Sequence, residues 1–203
     1  MEVFAFNGSP RKNGNTSTLV KAILEGAESA GAKTTEIRLH DINMKGCQAC
    51  YACKENPGVC ALKDDLSPSL HAIKNATGIV LGSPIYMFRI AGQMKFFVDR
   101  MYSYYQYKPE GMGYDSAVPP GKTYAMVISQ GAPDSDQYKR SARWLAGMAG
   151  VGLGFSEVGR IIHTNSLNAP AKDDEKLLEE ARAIGRRLVT NGSNEHQEKV
   201  SKT

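Results

Sequence analysis

The stretch Glu2-Val3-Phe4-Ala5-Phe6-Asn7-Gly8-Ser9-Pro10-Arg11-Lys12-Asn13-Gly14-Asn15-Thr16-Ser17 decides the fold of this chain. A short apolar run leads into a turn rich in glycine and polar donors. Beyond it, Leu19, Ile23, Ala27 and Ala30 recur at helical spacing. The pattern reads as strand, anion-binding loop and helix, with Asn15, Thr16 and Ser17 supplying oxygens where a helix takes its N-cap. Such a turn gathers unpaired backbone N–H groups at the positive end of a helix dipole, and a phosphate is its natural occupant. An ordinary capped surface turn would explain the glycines but not the crowd of hydroxyl, amide and guanidinium donors.

Outward from this stretch, 203 residues with 41% hydrophobic content suit one α/β domain. The 25 Lys and Arg against 21 Asp and Glu give +4, too mild and too scattered a charge to argue for nucleic acid or a membrane surface. No signal-peptide pattern opens the chain, and Ala146–Phe155 falls short of a span, so the expected location is cytoplasmic.

Strands are expected at Thr34–Leu39, Gly78–Gly82, Tyr124–Ser129 and within Val151–Ile162. Between them, Leu66, Leu70 and Ile73 mark one buried helical face and Met94, Phe97, Val98 and Met101 another. A further helix starts near Asp134, with Tyr138, Ala142, Leu145 and Met148 inward. Leu177, Ala181, Ile184 and Leu188 mark the last helix. The stretch from Tyr107 to Gly121 reads as a long loop. This alternation predicts a doubly wound, five-stranded parallel sheet with helices on both faces. The domain is expected over 1–190, with a cysteine-rich insertion at 44–62 and a polar, flexible tail at 191–203. In such a sheet the loops beginning at Gly8, Ser83 and Ser129 meet around one crevice at the strand ends.

The G-x-G-x-x-G spacing of a dinucleotide fold is absent, since Gly150, Gly152 and Gly154 lead into Phe155. Gly121-Lys122-Thr123 fails as a Walker loop because Ser116 stands where the first glycine belongs. The run Gly8 to Thr16, then Ser83-Pro84-Ile85-Tyr86, then Gly92-Gln93-Met94-Lys95-Phe96-Phe97-Val98-Asp99-Arg100 resembles the flavodoxin-like NADPH-dependent FMN reductase superfamily. The resemblance covers residues 1 to 165. It implies that Ser9, Arg11, Asn15, Thr16 and Ser17 hold the FMN phosphate. It further implies that Pro84, Ile85, Tyr86 and Met87 border the isoalloxazine ring and that Ser129, Gln130 and Gly131 close its other side. Gln130 departs there from the commoner glycine pair.

All four cysteines fall in one segment: Cys47, Cys50, Cys53 and Cys60, spaced C-x2-C-x2-C-x6-C. Three thiolates from one coil can take three corners of a cubane while a short loop returns the fourth. Zinc and a redox-active C-x-x-C pair are the other readings open on spacing alone. The segment, with Lys63-Asp64-Asp65 after it, resembles the iron–sulfur flavoproteins, which implies a [4Fe–4S] cluster. His40, His71, His163 and His196 are scattered and read as surface or packing residues.

The function this resemblance implies is electron transfer from a ferredoxin-like donor through the cluster to FMN and on to a small acceptor, in a homodimer or homotetramer. The cofactors carry the chemistry, and no catalytic side chain is assigned. The rival readings are a cluster-free NAD(P)H-dependent FMN or quinone reductase and a redox-sensing binding protein.

Overall fold

The structure is a computed structural model; it describes residues 1–108 and 113–200, with side chains described up to 190. Strand β1 (Glu2–Asn7) leads through the Gly8–Gly14 loop into helix α1 (Asn15–Ser29) and back to β2 (Lys33–Arg38). The crossover to β3 (Gly78–Tyr86) carries the cysteine segment, with the short helices α2 (Ala52–Glu55) and α3 (Ser67–Ala72). Next come β4 (Arg89–Ile90), α4 (Gly92–Arg100), β5 (Tyr105–Tyr107) and β6 (Tyr114–Ser116). The chain continues with β7 (Thr123–Ser129), α5 (Lys139–Gly147), β8 (Ser156–His163) and α6 (Glu175–Val200).

The main sheet has the parallel order β2-β1-β3-β7-β8, with β4 folded antiparallel onto β3. This is the flavodoxin-like order, whose switch point lies between β1 and β3. The strands sort their side chains by alternation. Phe6, Ile79, Leu81, Met126 and Ile128 belong to one buried cluster, packed with α3, α4 and α5. Val3, Ala5, Val80, Ala125 and Val127 belong to the other, packed with α1 and α6.

On the second face small residues let two helices touch backbone to backbone. A Cβ on Gly26 would fall 2.0 Å from the Arg182 carbonyl oxygen, and one on Gly185 would fall 1.9 Å from that of Ile23. That contact fixes the direction of α1, and so of the loop at its N-terminus. On the other face Phe6 of β1 stacks on Phe97 of α4 with ring centroids 4.0 Å apart.

Several elements differ from the sequence expectation for local reasons. Asn15, Thr16 and Ser17 lie inside α1; Gly14 is the N-cap, and no side chain caps the helix. The segment expected to leave the sheet at Ser83 stays in β3 as far as Tyr86, then turns through Met87 (φ 44°) and Phe88 (φ 69°) onto β4. Two successive left-handed residues are what a two-residue hairpin turn demands, and without glycine they cost about 1–2 kcal/mol each. Turns occupy Ser135–Tyr138, so α5 begins at Lys139 rather than near Asp134, and Tyr138 is only half buried. The region expected as a plain loop from Tyr107 to Gly121 holds β6, which pairs antiparallel with β5 at its start, while 109–112 lie outside the described residues. Helix α6 runs on to Val200, past the boundary expected at 190, and 201–203 lie outside the described residues.

Candidate functional site

Three strand-end loops and one further segment enclose a cleft of about 590 Å³. Ser9, Arg11, Asn13, Gly14, Asn15 and Thr16 form one wall, Pro84, Ile85 and Tyr86 a second, and Ser129 with Gly131 a third. The helix end that faces this cleft carries no capping side chain and no acidic residue in its first turn. Its free N–H groups and dipole therefore favour a bound anion.

The loop is held from within and from behind. The Asn7 carboxamide oxygen accepts from the Ser9 N–H at 2.9 Å, and the Ser17 hydroxyl donates to the Arg11 carbonyl at 2.7 Å. Arg38, at the end of β2, reaches the Ser9 and Pro10 carbonyls at 3.4 Å each while its Nε pairs with Asp41 at 2.8 Å. The Thr16 and Ser129 hydroxyls are hydrogen-bonded to each other, joining the first wall to the third.

The cysteine segment lines a second cavity, which shares no residue with this cleft. Ala49 (φ 51°) and Tyr51 (φ 59°) bend the coil with left-handed backbone, and Cys47, Cys50, Cys53 and Cys60 line one cavity of about 20 Å³, enough for one water molecule. Cys47 and Cys50 are exposed, Cys53 is buried and Cys60 is half buried. Burial pushes the Cys53 thiol above its ordinary pKa. Among the described residues no three His, Cys, Asp or Glu side chains are gathered as the ligands of a single ion.

Arg100, at the C-terminal end of α4, is buried against this pocket. It donates to the Cys60 sulfur at 3.0 Å, the Asp64 carboxylate at 2.7 Å and the Lys45 carbonyl at 3.0 Å. Burial alone would raise the Asp64 carboxyl, but Arg100 and the Lys45 N–H hold it below the ordinary carboxylate range. In donor chemistry the site fits an iron–sulfur cluster: four thiols on one cavity, with a buried cation beside them to offset their charge.

Residues 1–133 match the family described as NADPH-dependent FMN reductase. The chain belongs to that family. Among its curated relatives, an iron–sulfur flavoprotein of Methanocaldococcus jannaschii is 40% identical over 100 residues, 49% of this chain and 51% of the relative. An iron–sulfur flavoprotein of Methanosarcina thermophila is 31% identical over 100 residues, 49% of this chain and 52% of that one. The matched part thus spans about half the length of these relatives. They bear out the resemblance to the iron–sulfur flavoprotein branch.

Solved structures agree on the fold. The NAD(P)H:quinone oxidoreductase of Methanothermobacter marburgensis superposes with a TM-score of 0.73 at 19% identity, covering 93% of this chain and 98% of that one. The FMN-dependent NADH-azoreductase of Bacillus anthracis, in complex with FMN, gives 0.66 at 15% identity, covering 92% and 98%.

For a member of the FMN reductase family, the cleft brings together Ser9, Arg11, Asn15, Thr16, Pro84, Ile85, Tyr86, Ser129 and Gly131. Three residues expected with them do not line it. Ser17 is fully buried behind the loop, Met87 is 85% exposed at the hairpin tip, and the buried Gln130 side chain donates to the Ala132 and Asp134 carbonyls. Asn15 has a second task. Its carboxamide donates to the Ser166 carbonyl at 2.7 Å and accepts from the Ala171 N–H at 2.8 Å.

That clasp draws Ser166 and Leu167 into the cleft wall, which the sequence reading did not foresee. The signal was available: Thr164-Asn165-Ser166 is the polar run after the last strand, and ligand crevices of such sheets lie outside the carboxyl ends of the strands. Arg100 was missed as well. Of the histidines, His40 is exposed and near Gln93, and His163 is buried with no partner for its Nε2 among the described residues. The Nε2 of His71 likewise has no partner among the described residues, and the side chain of His196 lies outside them. No helix of the described residues is long and apolar enough to cross a membrane.

Proposed function

We propose that this chain is a flavin-dependent oxidoreductase of the electron-transfer type, with FMN in the strand-end cleft and a [4Fe–4S] cluster on Cys47, Cys50, Cys53 and Cys60. A ferredoxin-like protein is its electron donor and a small molecule its acceptor. The observation that carries this reading is that all four thiols line one cavity while the loops of three strand ends line another. FMN supplies one- and two-electron redox chemistry and a cubane cluster supplies single-electron exchange, which together suit a one-electron donor and a two-electron acceptor.

The residues of the chain bind and orient. The open N-terminus of α1, with Ser9 and Thr16, suits the FMN phosphate, and Arg38 keeps the loop in shape from outside the cleft. The backbone of Pro84–Tyr86, held as strand by the pairing of Pro84 with β7 and of Ile85 and Tyr86 with β4, offers a rigid edge for the ring. Cys47 and Cys50, exposed on the outer side of the coil, are the thiols through which a cluster would reach the pocket.

Assembly as a homodimer or homotetramer belongs to the same proposal. Met87, Phe88 and Trp144, all exposed, are the kind of apolar surface a second copy would cover.

Anaerobic stopped-flow mixing of the loaded chain with reduced ferredoxin or with NADPH tests the route. Flavin bleaching is expected to be fast with ferredoxin and slow with NADPH alone. Fast bleaching by NADPH alone, unchanged when the cysteines are replaced, would support the cluster-free reductase instead.

A further inference from the structure

The guanidinium of Arg100 is a buried charge that the fold aims directly at a cysteine of the pocket. Its side chain is fully excluded from solvent, yet it comes from an element whose other inward residues, Met94, Phe97 and Val98, are apolar. A desolvated cation in such a place needs compensation, and Arg100 finds it in the Asp64 carboxylate and two carbonyls. One donor, Nε–H, is directed at the Cys60 sulfur. Asp64 is itself fixed. Its Oδ2 accepts from the Lys45 N–H at 2.9 Å, and its Oδ1 accepts from the Leu66 N–H and the Ser67 hydroxyl at 3.2 Å each.

We propose that Arg100 is a positioning residue of the cysteine site: its Nε–H holds the Cys60 sulfur in place, and its charge, partly offset by Asp64, sets the reduction potential of the cluster. This inference rests on the cluster reading given above. The physical reason is simple. A cluster on four thiolates is already negative, and each electron it accepts, from a one-electron donor and with no bond broken, makes it more so. An N–H···S hydrogen bond and a nearby cation therefore stabilise the reduced form, while a nearby carboxylate opposes it. The guanidinium is fully excluded from solvent and in hydrogen-bond contact with the sulfur, so neither effect is strongly screened.

The arrangement predicts shifts of opposite sign from two contacting residues. Arg100→Gln removes the charge and the Nε donor and is expected to lower the midpoint potential. Asp64→Asn keeps an oxygen to accept from the Leu66 N–H, removes the opposing charge and is expected to raise it. Each is expected to change the reduced-to-oxidised ratio at fixed ambient potential about tenfold, ~59 mV for one electron. Arg100→Lys, which keeps a charge but loses the planar fork, is expected to fall between wild type and Arg100→Gln.

The test is a dithionite titration of the anaerobically reconstituted full chain, followed by electron paramagnetic resonance. Iron, sulfide and FMN contents and the far-ultraviolet circular dichroism spectrum are recorded for each variant. Should Arg100→Gln fail to fold, Arg100→Lys and Asp64→Asn carry the same test of opposite signs. Reduced-to-oxidised ratios within twofold of wild type at fixed ambient potential, or shifts in the same direction, would overturn the assignment while leaving the cluster in place. A wild-type chain that binds no iron would overturn the cluster reading, and this inference with it.

Discussion

The phosphate cleft and the cysteine pocket are built on opposite plans. The cleft is a product of the sheet. Its walls are the ends of parallel strands, and its anion site is the N-terminus of a 15-residue helix locked against α6 by Gly26 and Gly185. The cysteine pocket lies in the β2–β3 crossover, on a coil with two left-handed residues, a four-residue helix and two exposed thiols. Regular structure holds the first in shape before any ligand arrives. The second owes its order to a few side chains, Arg100 above all, and to whatever the thiols bind.

If the two regions are as separate as this, removing one ligand must leave the other site intact. Cys53→Ala, at the buried thiol, is expected to abolish iron and sulfide binding while FMN stays at wild-type stoichiometry, measured by metal and flavin analysis after anaerobic purification. Loss of both would show that the cysteine coil also supports the cleft.

The converse change strikes the frame of the cleft. Gly26→Ala drives a methyl into the Arg182 carbonyl and is expected to cost about 3 kcal/mol of unfolding free energy, read from urea denaturation. A cost below about 0.5 kcal/mol would mean that α1 and α6 are free to separate.

A finer comparison concerns the phosphate itself. Thr16→Val removes a hydroxyl from the cleft wall and breaks the link to Ser129. FMN is expected to bind about tenfold more weakly, ~1.4 kcal/mol, with riboflavin affinity much less changed, both by fluorescence titration. Equal losses for the two ligands would place Thr16 beside the ring instead of the phosphate.

The smallest effect is one of pH. Burial holds the His163 imidazole below its ordinary pKa of 6.5, with Asp174 opposing weakly. The unfolded chain therefore takes up a proton on this ring at higher pH than the folded chain does. Stability from the neutral ring is full above that range and is lost as the pH falls through it. The urea midpoint is expected to drop between about pH 7.5 and about pH 5.5, and His163→Gln to drop less. An identical drop would assign the pH dependence to other groups.

The same division governs what could be read from the sequence. The sheet was legible because Val3–Phe6, Gly78–Leu81 and Tyr124–Ile128 are apolar runs buried on both faces, and the helices because their stripes have one spacing. The cleft followed from the strand ends. What escaped depended on long-range partners or on strain. Nothing local to Asn15 announces Ser166 and Ala171, more than 150 residues away. Nothing in Tyr86-Met87-Phe88-Arg89 suggests a hairpin turn, since neither central residue is one that favours positive φ. Arg100 reads from its own helix as a favourable C-terminal charge, and only the fold brings Cys60 and Asp64 to it.

The central claim, two cofactor sites on one chain, is tested most directly by composition. The intact chain is purified and reconstituted without oxygen, then assayed for iron, acid-labile sulfide, zinc and FMN. The account predicts one FMN with about four irons and about four sulfides per chain, and no zinc. FMN present with iron and sulfide absent after reconstitution, or zinc in their place, would contradict it.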